Sequence, residues 1–482
     1  MPAILRSTTR VGPASAASRI RKAHRTIRAR FQPLRIPLQD LACAALFAFF
    51  AMQGSIPGIA PAAALEMTGS APTTLTTTGG ILTQALASAV IVGLLLRHPR
   101  LLLRRLASLP WLALLAILAI ASTAWSLEPL LTLRRSILFA LAGLYGLWFA
   151  ARYPLPRQLA ILRLALFATA LASIAIVVLV PSIGLDHSPG HAADWQGIFT
   201  QKNACGRIMV LATAAVLFAE RLTPARLASL ALFLFILVMS GSRAAWLIEV
   251  AVLLLWLLVV VTRRASPRVR LILGIAAPAA AAALALTAAL LFPPVMRALG
   301  RDPTLTGRTA IWAHVLHFIA LRPLTGFGYA AFWRGMAGPS LQISSAVHFI
   351  VLHAHNGFLE IALELGLPGL VLFLLSWIRA ARQLWSLWRR GPLAALAWPL
   401  AILVLIFLYD LDENTLLIYN GLFWVLYAAA LTTIEKASRD SHHSCTRRAR
   451  AILTLSSLAP TLRFRKPKRT SEISPPTVRL EL

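Results

Sequence analysis

The hydrophobic pattern of this chain consists of long apolar stretches separated by short polar or basic segments. Stretches of roughly 16–23 residues have the length that a helix needs to cross a hydrocarbon core about 30 Å thick. The pattern therefore predicts an all-α, polytopic helical membrane protein with about twelve transmembrane helices. The predicted spans are residues 41–60, 81–96, 109–124, 136–151, 159–180, 206–220, 225–241, 244–262, 271–292, 356–377, 393–409 and 417–433.

The composition agrees with a membrane environment. Of the 482 residues, 58% are hydrophobic and 13% are charged, whereas soluble globular chains carry about 45–50% apolar and about 25% charged residues. So few charges could not cover a surface that faces water, which excludes a soluble enzyme, a disordered chain and a secreted disulfide-rich domain. The three cysteines, Cys43, Cys205 and Cys445, are far apart in the sequence and have no metal-ligand spacing.

The positive charge of the chain follows membrane topology and does not indicate a nucleic-acid partner. The formal net charge is +30, from 47 Lys and Arg against 17 Asp and Glu. With the N-terminus in the cytoplasm, thirty-seven of these cations fall in segments on the inner side and ten on the outer side. This bias is typical of multi-pass membrane proteins. Both termini are therefore predicted to be cytoplasmic, and membrane lipids are the expected surroundings.

The predicted organisation is one membrane domain between two basic tails. Residues 1–40 and 434–482 are predicted as cytoplasmic tails that anionic lipids could attract, and residues 41–433 as the polytopic membrane domain. A basic leader before an apolar stretch is also compatible with a cleaved signal peptide. We favour a retained first helix, because the leader is long and the apolar residues continue past Gly54 and Pro57.

Two predicted outer segments are long enough to contribute to a site. They cover about residues 181–205 and about residues 293–355, and the second is the longest segment between predicted spans. Apolar positions recur within the second at helical spacing: Ile311, Trp312, Val315, Leu316 and Ile319. An amphipathic helix of this kind would lie along the membrane surface or cap a cavity. The ten cations on the predicted outer side oppose the bias that places positive charge inside, so their positions require an explanation.

A histidine at the outer end of the tenth predicted span is the best candidate for chemistry. His355-Asn356 is followed, after nine residues, by Gly366-x-x-Gly369. Because the ordinary pKa of histidine lies near neutrality, His355 could take a proton from a hydroxyl group and later release it. The two glycines would let another helix approach closely. The alternative is an interfacial histidine bonded to lipid headgroups.

Arginines at the predicted outer ends of the spans are candidate phosphate ligands. Arg243 follows a Ser-Gly-Ser turn, and Arg308 begins the amphipathic stretch. A guanidinium group pairs with phosphate through two coplanar hydrogen bonds and keeps its charge. Lys202 and Arg207 are further outer cations of the same kind. The alternative for each is a long side chain that extends to the interface.

Together these residue types predict glycosyl transfer from a lipid-diphosphate donor. His355 would act as the base, and the arginines would stabilise the leaving diphosphate. We expect no cofactor and no metal, because guanidinium groups would neutralise the charge. Trp195 and Asn203 are weaker candidates for contact with the glycan, since tryptophan is common at membrane interfaces without any ligand.

The remaining polar residues of the outer side and the spans are interpreted as structural. Five outer histidines lack metal-ligand spacing: His187, His191, His314, His317 and His348. Glu249 lies within the eighth predicted span, and we favour an internal partner for it over a role in proton coupling.

These motifs resemble those of the O-antigen ligase and O-antigen or exopolysaccharide polymerase superfamily of bacterial envelope proteins. The His-Asn and Gly-x-x-Gly pattern fits at the family's spacing. Ser-x-Ser-Arg ending at Arg243, and Gly-Arg-x-x-x-Trp with a downstream Pro-Leu-x-Gly-x-Gly over residues 307–328, are similar to its two arginine signatures. The resemblance covers about residues 190–375, which are predicted to be the catalytic region.

The resemblance implies inverting, metal-independent transfer of a glycan from undecaprenyl diphosphate at the periplasmic face of the bacterial inner membrane. It implies that Arg243 and Arg308 hold the diphosphate and that His355 activates the acceptor hydroxyl. A flippase and a chain-length regulator are implied partners, and the acceptor is another glycan or lipid A core. The segment Trp-x-Gly-Ile-Phe-x-x-Lys-Asn at residues 195–203 looks like that of exopolysaccharide polymerases. Polymerisation is therefore favoured, and ligation to lipid A core stays open.

A polysaccharide transporter or glycolipid flippase is the alternative from another functional class. Twelve spans suit such a protein, but transporters more often place charged residues near the bilayer midplane and contain repeat-related broken helices. Here the cations gather at the outer ends of the spans, and Glu249 is nearly alone within them. The enzyme hypothesis is therefore favoured.

Overall fold

The computed structural model describes residues 37–54, 56, 78–187, 193–219, 222–298, 307–390, 396–416 and 418–458. Within these residues the regular secondary structure is helical, with one isolated bridge between Leu185 and Trp195. The helices are α1 (Leu38–Ala51), α2 (Thr78–Leu96), α3 (Pro99–Ser108), α4 (Pro110–Ala121), α5 (Pro129–Arg152), α6 (Leu155–Leu179), α7 (Pro181–Gly184), α8 (Lys202–Leu217), α9 (Pro224–Met239), α10 (Arg243–Thr262), α11 (Pro267–Ala298), α12 (Arg308–Leu321), α13 (Pro339–Val347), α14 (Gly357–Arg390), α15 (Ala397–Asp410) and α16 (Leu422–Leu458). A short 3-10 helix, Ser122–Trp125, follows α4.

The prediction of an all-α polytopic membrane protein is confirmed. Each predicted span overlaps a helix, and six helices in the described part of the chain are long and apolar enough to cross a membrane: α2, α5, α6, α10, α11 and α14. Helices α3 and α4 meet at an angle of 97° and together would form a seventh span. Helices α1, α9 and α15 are apolar but shorter. The number of twelve spans therefore remains a prediction.

Proline residues define where many of these helices begin. Pro99, Pro110, Pro129 and Pro224 each occupy the first position of a helix. The first N–H groups of a helix have no partner within it, so proline costs no hydrogen bond there and its fixed φ angle suits the helix. The prolines in the short connections between apolar stretches thus mark where these helices begin.

Helices α5 and α16 form the centre of the membrane domain. Phe139 and Trp424 stack with their ring centroids 4.1 Å apart, and the Trp424 Nε1–H donates to the Phe139 carbonyl over 2.8 Å. Helix α1 packs beside them, with the Phe47 ring against Tyr145 and Phe149. The side chains of α1 are therefore part of the core, and retention of this first helix stays a prediction.

The predicted outer segment, described here over residues 307–356, has a second apolar cluster of its own. It comprises Ile311, Val315, Phe318, Ile319, Phe327, Phe332, Ile343, Val351, Ala354 and, from α14, Ala362 and Leu363. The predicted amphipathic helix is α12: its buried face lies on this cluster, while Leu316 is 54% exposed. Helix α12 is thus held against the start of α14 by burial of apolar side chains.

Two predicted outer cations link this segment to α5 and the residue before it, and a third packs within the segment. Arg135 of α5 donates to the Ala330 carbonyl. Arg334 forms an ion pair of 2.6 Å with Glu128, which precedes α5. The Arg322 guanidinium lies 4.9 Å from the centre of the Phe327 ring, a favourable cation–π contact. These three cations have structural partners, so a phosphate ligand is not needed to explain them.

The predicted boundary of the C-terminal tail at residue 434 falls inside a helix, and the tail itself stays a prediction. Helix α16 continues through this position to Leu458, and Ile434 is fully buried. An apolar-to-basic change in composition marked the boundary in the sequence, but a helix does not end where its composition changes. Three parts of the predictions lie outside the described residues: the N-terminal tail up to residue 36, the outer histidine His191 and the outer cation Arg301.

Glu249 of α10 has the internal partner that the sequence suggested. It is buried, and one carboxylate oxygen accepts a hydrogen bond of 2.6 Å from the Thr213 hydroxyl of α8. The pairing links two neighbouring helices, so proton coupling is not needed to account for this acid.

Candidate active site

The Gly-x-x-Gly motif marks a break in α14. Gly366 has φ 70° and ψ −179°, a conformation outside the helical region that only glycine adopts readily. Pro368 follows at the start of the second half of the helix, where its missing N–H costs little. The helix therefore stops and restarts inside the motif.

A loop, and not the helix predicted from the sequence, packs into this break. The loop is the Pro-Leu-x-Gly-x-Gly segment at residues 323–328. The Leu367 N–H donates to the Pro323 carbonyl over 2.7 Å, and the Gly328 N–H donates to the Glu364 carbonyl over 3.0 Å. A Cβ atom on Gly366 would lie 2.6 Å from the Leu324 carbonyl carbon. The glycines of the two motifs thus serve one backbone-to-backbone contact.

Asn356 fixes the start of α14 and ties it to the loop between α15 and α16. Its Oδ1 accepts hydrogen bonds from the N–H groups of Phe358 (3.1 Å) and Leu359 (3.0 Å), the geometry of a helix N-cap. Its Nδ2 donates to the Leu411 carbonyl over 3.3 Å. The neighbouring His355 is therefore held close to the residues that follow α15.

His355 has a strained backbone and a side chain that faces an acid. Its φ angle is 49°, in the left-handed region that costs a non-glycine residue about 1–3 kcal/mol and often marks functional sites. The imidazole Nδ1 lies 3.7 Å from Oε2 of Glu413. The rings of His355 and His353 have centroids 4.0 Å apart, and the His355 N–H donates to Nδ1 of His353 over 3.2 Å.

The Glu413 carboxylate is the centre of the site. It is 5% exposed. Oε1 lies 3.5 Å from Nδ2 of Asn203 and 3.6 Å from Nη2 of Arg308. Oε2 lies 3.6 Å from Nε2 of His353, in addition to its contact with His355. Four separate parts of the chain, α8, α12, the end of the outer segment and the α15–α16 loop, therefore meet at one acid.

The charges of the site keep Glu413 ionised and His353 neutral. Burial alone would raise the pKa of Glu413, but His355, His353 and Arg207 together hold that pKa well below its ordinary range. Burial and the neighbouring His355 lower the pKa of His353 to about 3, although Glu413 opposes the shift. Near neutral pH the site therefore contains a carboxylate among arginines and an uncharged imidazole.

Arg308 occupies the site that the sequence predicted, but it is already paired with acids. It is the first residue of α12 and follows Gly307, whose φ angle is 84°. Nη1 forms an ion pair with Oδ1 of Asp412 and donates to the Asp412 carbonyl over 3.0 Å, while Nη2 faces Glu413. The guanidinium group thus spans two neighbouring acids, and a bound anion would share it with them.

Arg207 lies deeper in the site than the sequence suggested. It is one turn along α8 from Asn203, is 5% exposed, and lies within electrostatic reach of Glu413 and His353. The negative charge of Glu413 offsets part of the desolvation cost of burying this guanidinium. Arg207 is therefore a component of the site and not an interfacial anchor.

Arg243 lies at the edge of this arrangement. It is the first residue of α10 and is exposed, and in the described part of the chain no hydrogen bond or ion pair joins it to another predicted site residue. The turn before it packs on α8: a Cβ atom on Gly206 would lie 2.9 Å from the Ser242 Cβ and 3.0 Å from the Ser240 Oγ. Arg243 is thus next to the part of α8 that carries Arg207, with its guanidinium group exposed.

The remaining predicted residues of the first outer loop have other partners. Lys202 forms an ion pair of 2.6 Å with Asp194. The Trp195 ring packs edge-to-face on Phe235, with ring centroids 5.5 Å apart, and the backbone N–H of Trp195 donates to the Met239 carbonyl. These contacts account for Lys202 and Trp195 without a ligand. Asn203 was a candidate for glycan contact, and its contact in the structure is with Glu413.

Sequence reasoning missed His353, Asp412 and Glu413. A signal was present, because Asp410, Asp412 and Glu413 fall within four residues in a chain that has only 17 acids. The ligand atoms of His353, His355 and Glu413 lie within 4.8 Å of one another. That spacing is compatible with a bound metal ion as well as with hydrogen bonds, so the protonation of the imidazoles decides between them.

Comparison with known proteins agrees with the motifs. Residues 228–374 match the O-antigen ligase family. The exopolysaccharide production protein ExoQ of Rhizobium meliloti is 36% identical over 92 residues, which are 18% of this chain and 20% of that protein. A candidate polysaccharide ligase of Rickettsia prowazekii is 34% identical over 102 residues, 18% of this chain and 25% of that protein. The matches thus span about a fifth to a quarter of the length of these relatives.

The matched segment contains part of the site. Arg243, Arg308 and His355 lie within it, together with both glycines of the helix break, whereas Arg207 and Glu413 lie on either side of it. Residues 228–374 of this chain therefore match the O-antigen ligase family, which confirms the resemblance inferred from the motifs.

Proposed function

We propose that the protein is a membrane glycosyltransferase that transfers or polymerises glycan repeats carried on undecaprenyl diphosphate, in exopolysaccharide biosynthesis. The reaction would take place at the periplasmic face of the bacterial inner membrane, with both termini in the cytoplasm. One observation carries the proposal: two histidines, one arginine and one asparagine lie within 3.7 Å of the Glu413 carboxylate, and the charge of Arg207 also acts on it. Structural ion pairs alone would not require a histidine in a strained conformation at their centre.

The chemistry we propose is a single displacement at the anomeric carbon. His355 takes the proton of the acceptor hydroxyl as the oxygen forms its bond to carbon. The bond from carbon to the diphosphate oxygen breaks, and its electron pair stays with the diphosphate. A single displacement inverts the configuration at this carbon. Guanidinium groups stabilise the negative charge that develops on the leaving group.

The arginines differ in their fitness for that task. Arg308 is paired with acids, and Arg207 lies within electrostatic reach of Glu413, so both would share their charge with a bound diphosphate. Arg243 is exposed at the N-terminus of α10, where the backbone N–H groups also favour an anion. We therefore expect Arg243 to make first contact with the diphosphate, with Arg308 completing the pairing. Lys202 would contribute through the field of the site and not by direct contact.

No metal is needed in this scheme, because arginine supplies the positive charge. Activity should therefore persist in excess chelator. Strict dependence on a divalent ion would contradict the scheme.

The names of the relatives do not agree on the acceptor of the reaction. One relative is named for exopolysaccharide production and others as candidate polysaccharide ligases. Purified protein in vesicles would be given lipid-diphosphate repeats with and without lipid A core. Longer lipid-linked chains would support polymerisation, and a product on lipid A core would support ligation instead. Movement of the lipid-linked glycan across the vesicle membrane without elongation would contradict both and favour a flippase.

A further inference from the structure

The first step concerns the side of the His355 ring that faces the protein. Its Nδ1 atom is buried and has no hydrogen-bond partner, and it faces the Glu413 carboxylate at 3.7 Å. A neutral imidazole carries its proton on only one nitrogen. A lone pair on Nδ1 would face a negative oxygen, whereas an N–H would be attracted to it. The tautomer with the proton on Nδ1 is therefore favoured, and Nε2 is left unprotonated.

The second step concerns His353, whose tautomer is fixed by the backbone. Its Nδ1 accepts the N–H of His355 over 3.2 Å, so the proton of this neutral ring must be on Nε2. Nε2 faces Oε2 of Glu413 at 3.6 Å. Both imidazoles thus present an N–H to the same carboxylate oxygen, while Asn203 and Arg308 contact the other oxygen.

The third step excludes the metal site that the spacing of these residues would permit. A metal bound to Nε2 of His353 needs the lone pair on that nitrogen. In the neutral ring the lone pair is on Nδ1, where it accepts the backbone N–H of His355. His353 cannot serve both partners, so the cluster fits a hydrogen-bonded arrangement better than a metal centre.

We propose that Glu413 and His353 are positioning residues for His355. Glu413 would orient the imidazole through its Nδ1–H so that Nε2 faces the acceptor hydroxyl, and His353 would hold the carboxylate in place. The proposal rests on the proposed function of His355 as the base.

The proton balance of the step is simple. The hydroxyl O–H bond breaks as the Nε2–H bond forms, and the resulting imidazolium is stabilised by the Glu413 carboxylate, as in other base–carboxylate pairs. The distances of 3.6 and 3.7 Å are longer than hydrogen bonds, and such contacts commonly shorten when substrate binds. The charged or titratable groups around the carboxylate are Arg207 from α8, Arg308 from α12, His353 and His355 before α14, Tyr409 and Asp410 at the end of α15, and Asp412 just after it.

The test is a comparison of Glu413→Gln and Glu413→Asp in the transfer assay. Gln keeps the shape of Glu413 but lacks its charge, so kcat should fall by at least about 100-fold, within the range that a working base contributes. KM for the donor should change little. Asp keeps the charge at a shorter reach and should recover part of the loss. Because the imidazolium loses its counter-charge in Glu413→Gln, the acidic limb of the kcat–pH profile should move to lower pH.

A second variant and a direct probe separate positioning from folding. In His353→Asn the amide oxygen can still accept the His355 N–H, but the N–H toward Glu413 is lost, and we expect about a tenfold loss of kcat. Diethyl pyrocarbonate acylates unprotonated imidazole nitrogens, and mass spectrometry can follow the labelling of His355. At a pH where the imidazole is unprotonated in both proteins, labelling should be slower in Glu413→Gln than in the wild type, because Nε2 is a weaker nucleophile without the carboxylate at Nδ1–H. This difference should hold whether or not a glycan substrate is present.

Several results would overturn the proposal. One is a Glu413→Gln enzyme within twofold of the wild type; another is a loss of kcat with an unmoved pH profile and unchanged labelling, which would indicate a structural role. Inactivation by chelator with recovery on adding Zn²⁺ would identify a metal centre instead. A wild-type protein that forms no glycan product would refute the proposed function, while the labelling comparison would still report on the orientation of His355.

Discussion

At the scale of single residues, the site depends on how one buried carboxylate is shared. Glu413 contacts side chains from α8, α12 and the end of the outer segment. Removing one partner from a buried charge network is costly, because the remaining charge keeps its desolvation penalty without compensation. The network therefore fixes the relative positions of the arginines and the histidines before any substrate binds.

The geometry of Arg308 leads to a prediction for Arg308→Lys. One guanidinium contacts Asp412 with Nη1 and Glu413 with Nη2, and a lysine ammonium is a point charge that cannot span both in the same way. Loss of one charged hydrogen bond costs roughly 1.5–3 kcal/mol. The value of kcat/KM should therefore fall about tenfold to over a hundredfold in steady-state transfer assays. Arg322→Lys, on the same outer segment but against Phe327, should stay within about twofold of wild type.

The neutral His353 predicts a dependence of stability on pH. Its pKa is lowered to about 3, whereas an unfolded histidine has a pKa of about 6.5. Between these values the unfolded chain binds the proton and the folded protein does not, so stability is complete above about pH 6.5 and is lost as the pH falls. The pKa of Glu413 is also lowered, but its contribution is lost only below about pH 4.3, where an unfolded glutamate takes up its proton.

The measurement is the melting temperature of the detergent-solubilised protein at pH 7.5 and pH 5.0. The wild type should melt at a lower temperature at the lower pH, and His353→Asn should show a smaller decrease. His314→Asn, which changes a partly buried histidine on α12 away from Glu413, should behave like the wild type. Equal decreases in all three proteins would contradict a neutral His353.

The site residues that could be predicted from the sequence are those that form a recognisable motif with their neighbours along the chain. His355 stands in a motif with Asn356, and Arg308 stands in one with Gly307 and Trp312. Glu413 has no such motif: its role depends on a loop that folds back toward α8 and α12, and a single sequence does not contain that distance. His353 was overlooked because its partner is the backbone of His355, and a pattern of side chains does not reveal such a bond.

At the scale of elements, the site depends on the break in α14. The 323–328 loop pairs with backbone groups on both sides of the break, namely the Leu363 and Glu364 carbonyls and the Leu367 N–H, as buried backbone groups require. The break separates the outer part of α14, which begins next to His355, from the longer part that crosses the membrane. The loop therefore fixes the direction in which α14 leaves the site.

This contact predicts a large effect of Gly366→Ala. The conformation at Gly366 is nearly restricted to glycine and costs other residues about 1–3 kcal/mol, and the added Cβ would lie 2.6 Å from a backbone carbon of the loop. We expect a lower melting temperature and loss of transfer activity. The matched control is Gly93→Ala in α2, where a Cβ would meet nothing within 4 Å.

The control should be neutral or slightly stabilising, because alanine is favoured over glycine in an exposed helix by about 1 kcal/mol. Both variants would be measured by thermal unfolding in the same detergent. Equal effects of the two substitutions would show that the break in α14 does not depend on Gly366.

The helices could be predicted from the sequence, and the break could not. Each span that was predicted from its apolar length overlaps a helix in the structure, and prolines mark several of the helix starts. A Gly-x-x-Gly motif, however, is read as a site of helix–helix contact, and nothing near Gly366 shows that a loop some forty residues earlier will occupy it. The continuation of α16 past residue 434 was missed for a related reason, since a basic composition is compatible with both a tail and a helix.

At the scale of the whole molecule, the site assembles from more than the family segment. Residues 228–374 supply His355 and the arginines of α10 and α12, while α8 and the α15–α16 loop supply Arg207 and Glu413. The packing of α16 on α5 positions that loop, because the Trp424–Phe139 contact lies just beyond it. A fragment limited to the family segment would therefore lack the acid at the centre of the site.

The proposed topology predicts which positions a membrane-impermeant thiol reagent can reach. In a background without Cys445, His314→Cys on α12 should be labelled in intact spheroplasts. Arg389→Cys, near the end of α14, should be labelled only after the membrane is opened. Cys43 and Cys205 are buried and should react slowly in both cases. Labelling of both introduced cysteines from the same side would contradict the assignment of the site to the periplasmic face.

Glycan transfer by the purified protein, in vesicles that contain only lipid-diphosphate repeats, tests most directly whether the chain is a glycosyltransferase with His355 as its base. The wild type should release free lipid diphosphate and form longer glycans, and His314→Ala should do the same. His355→Ala should bind the donor as the wild type does but form no product. A His355→Ala protein that still elongates the glycan at the wild-type rate would contradict the account, because the base would then lie elsewhere.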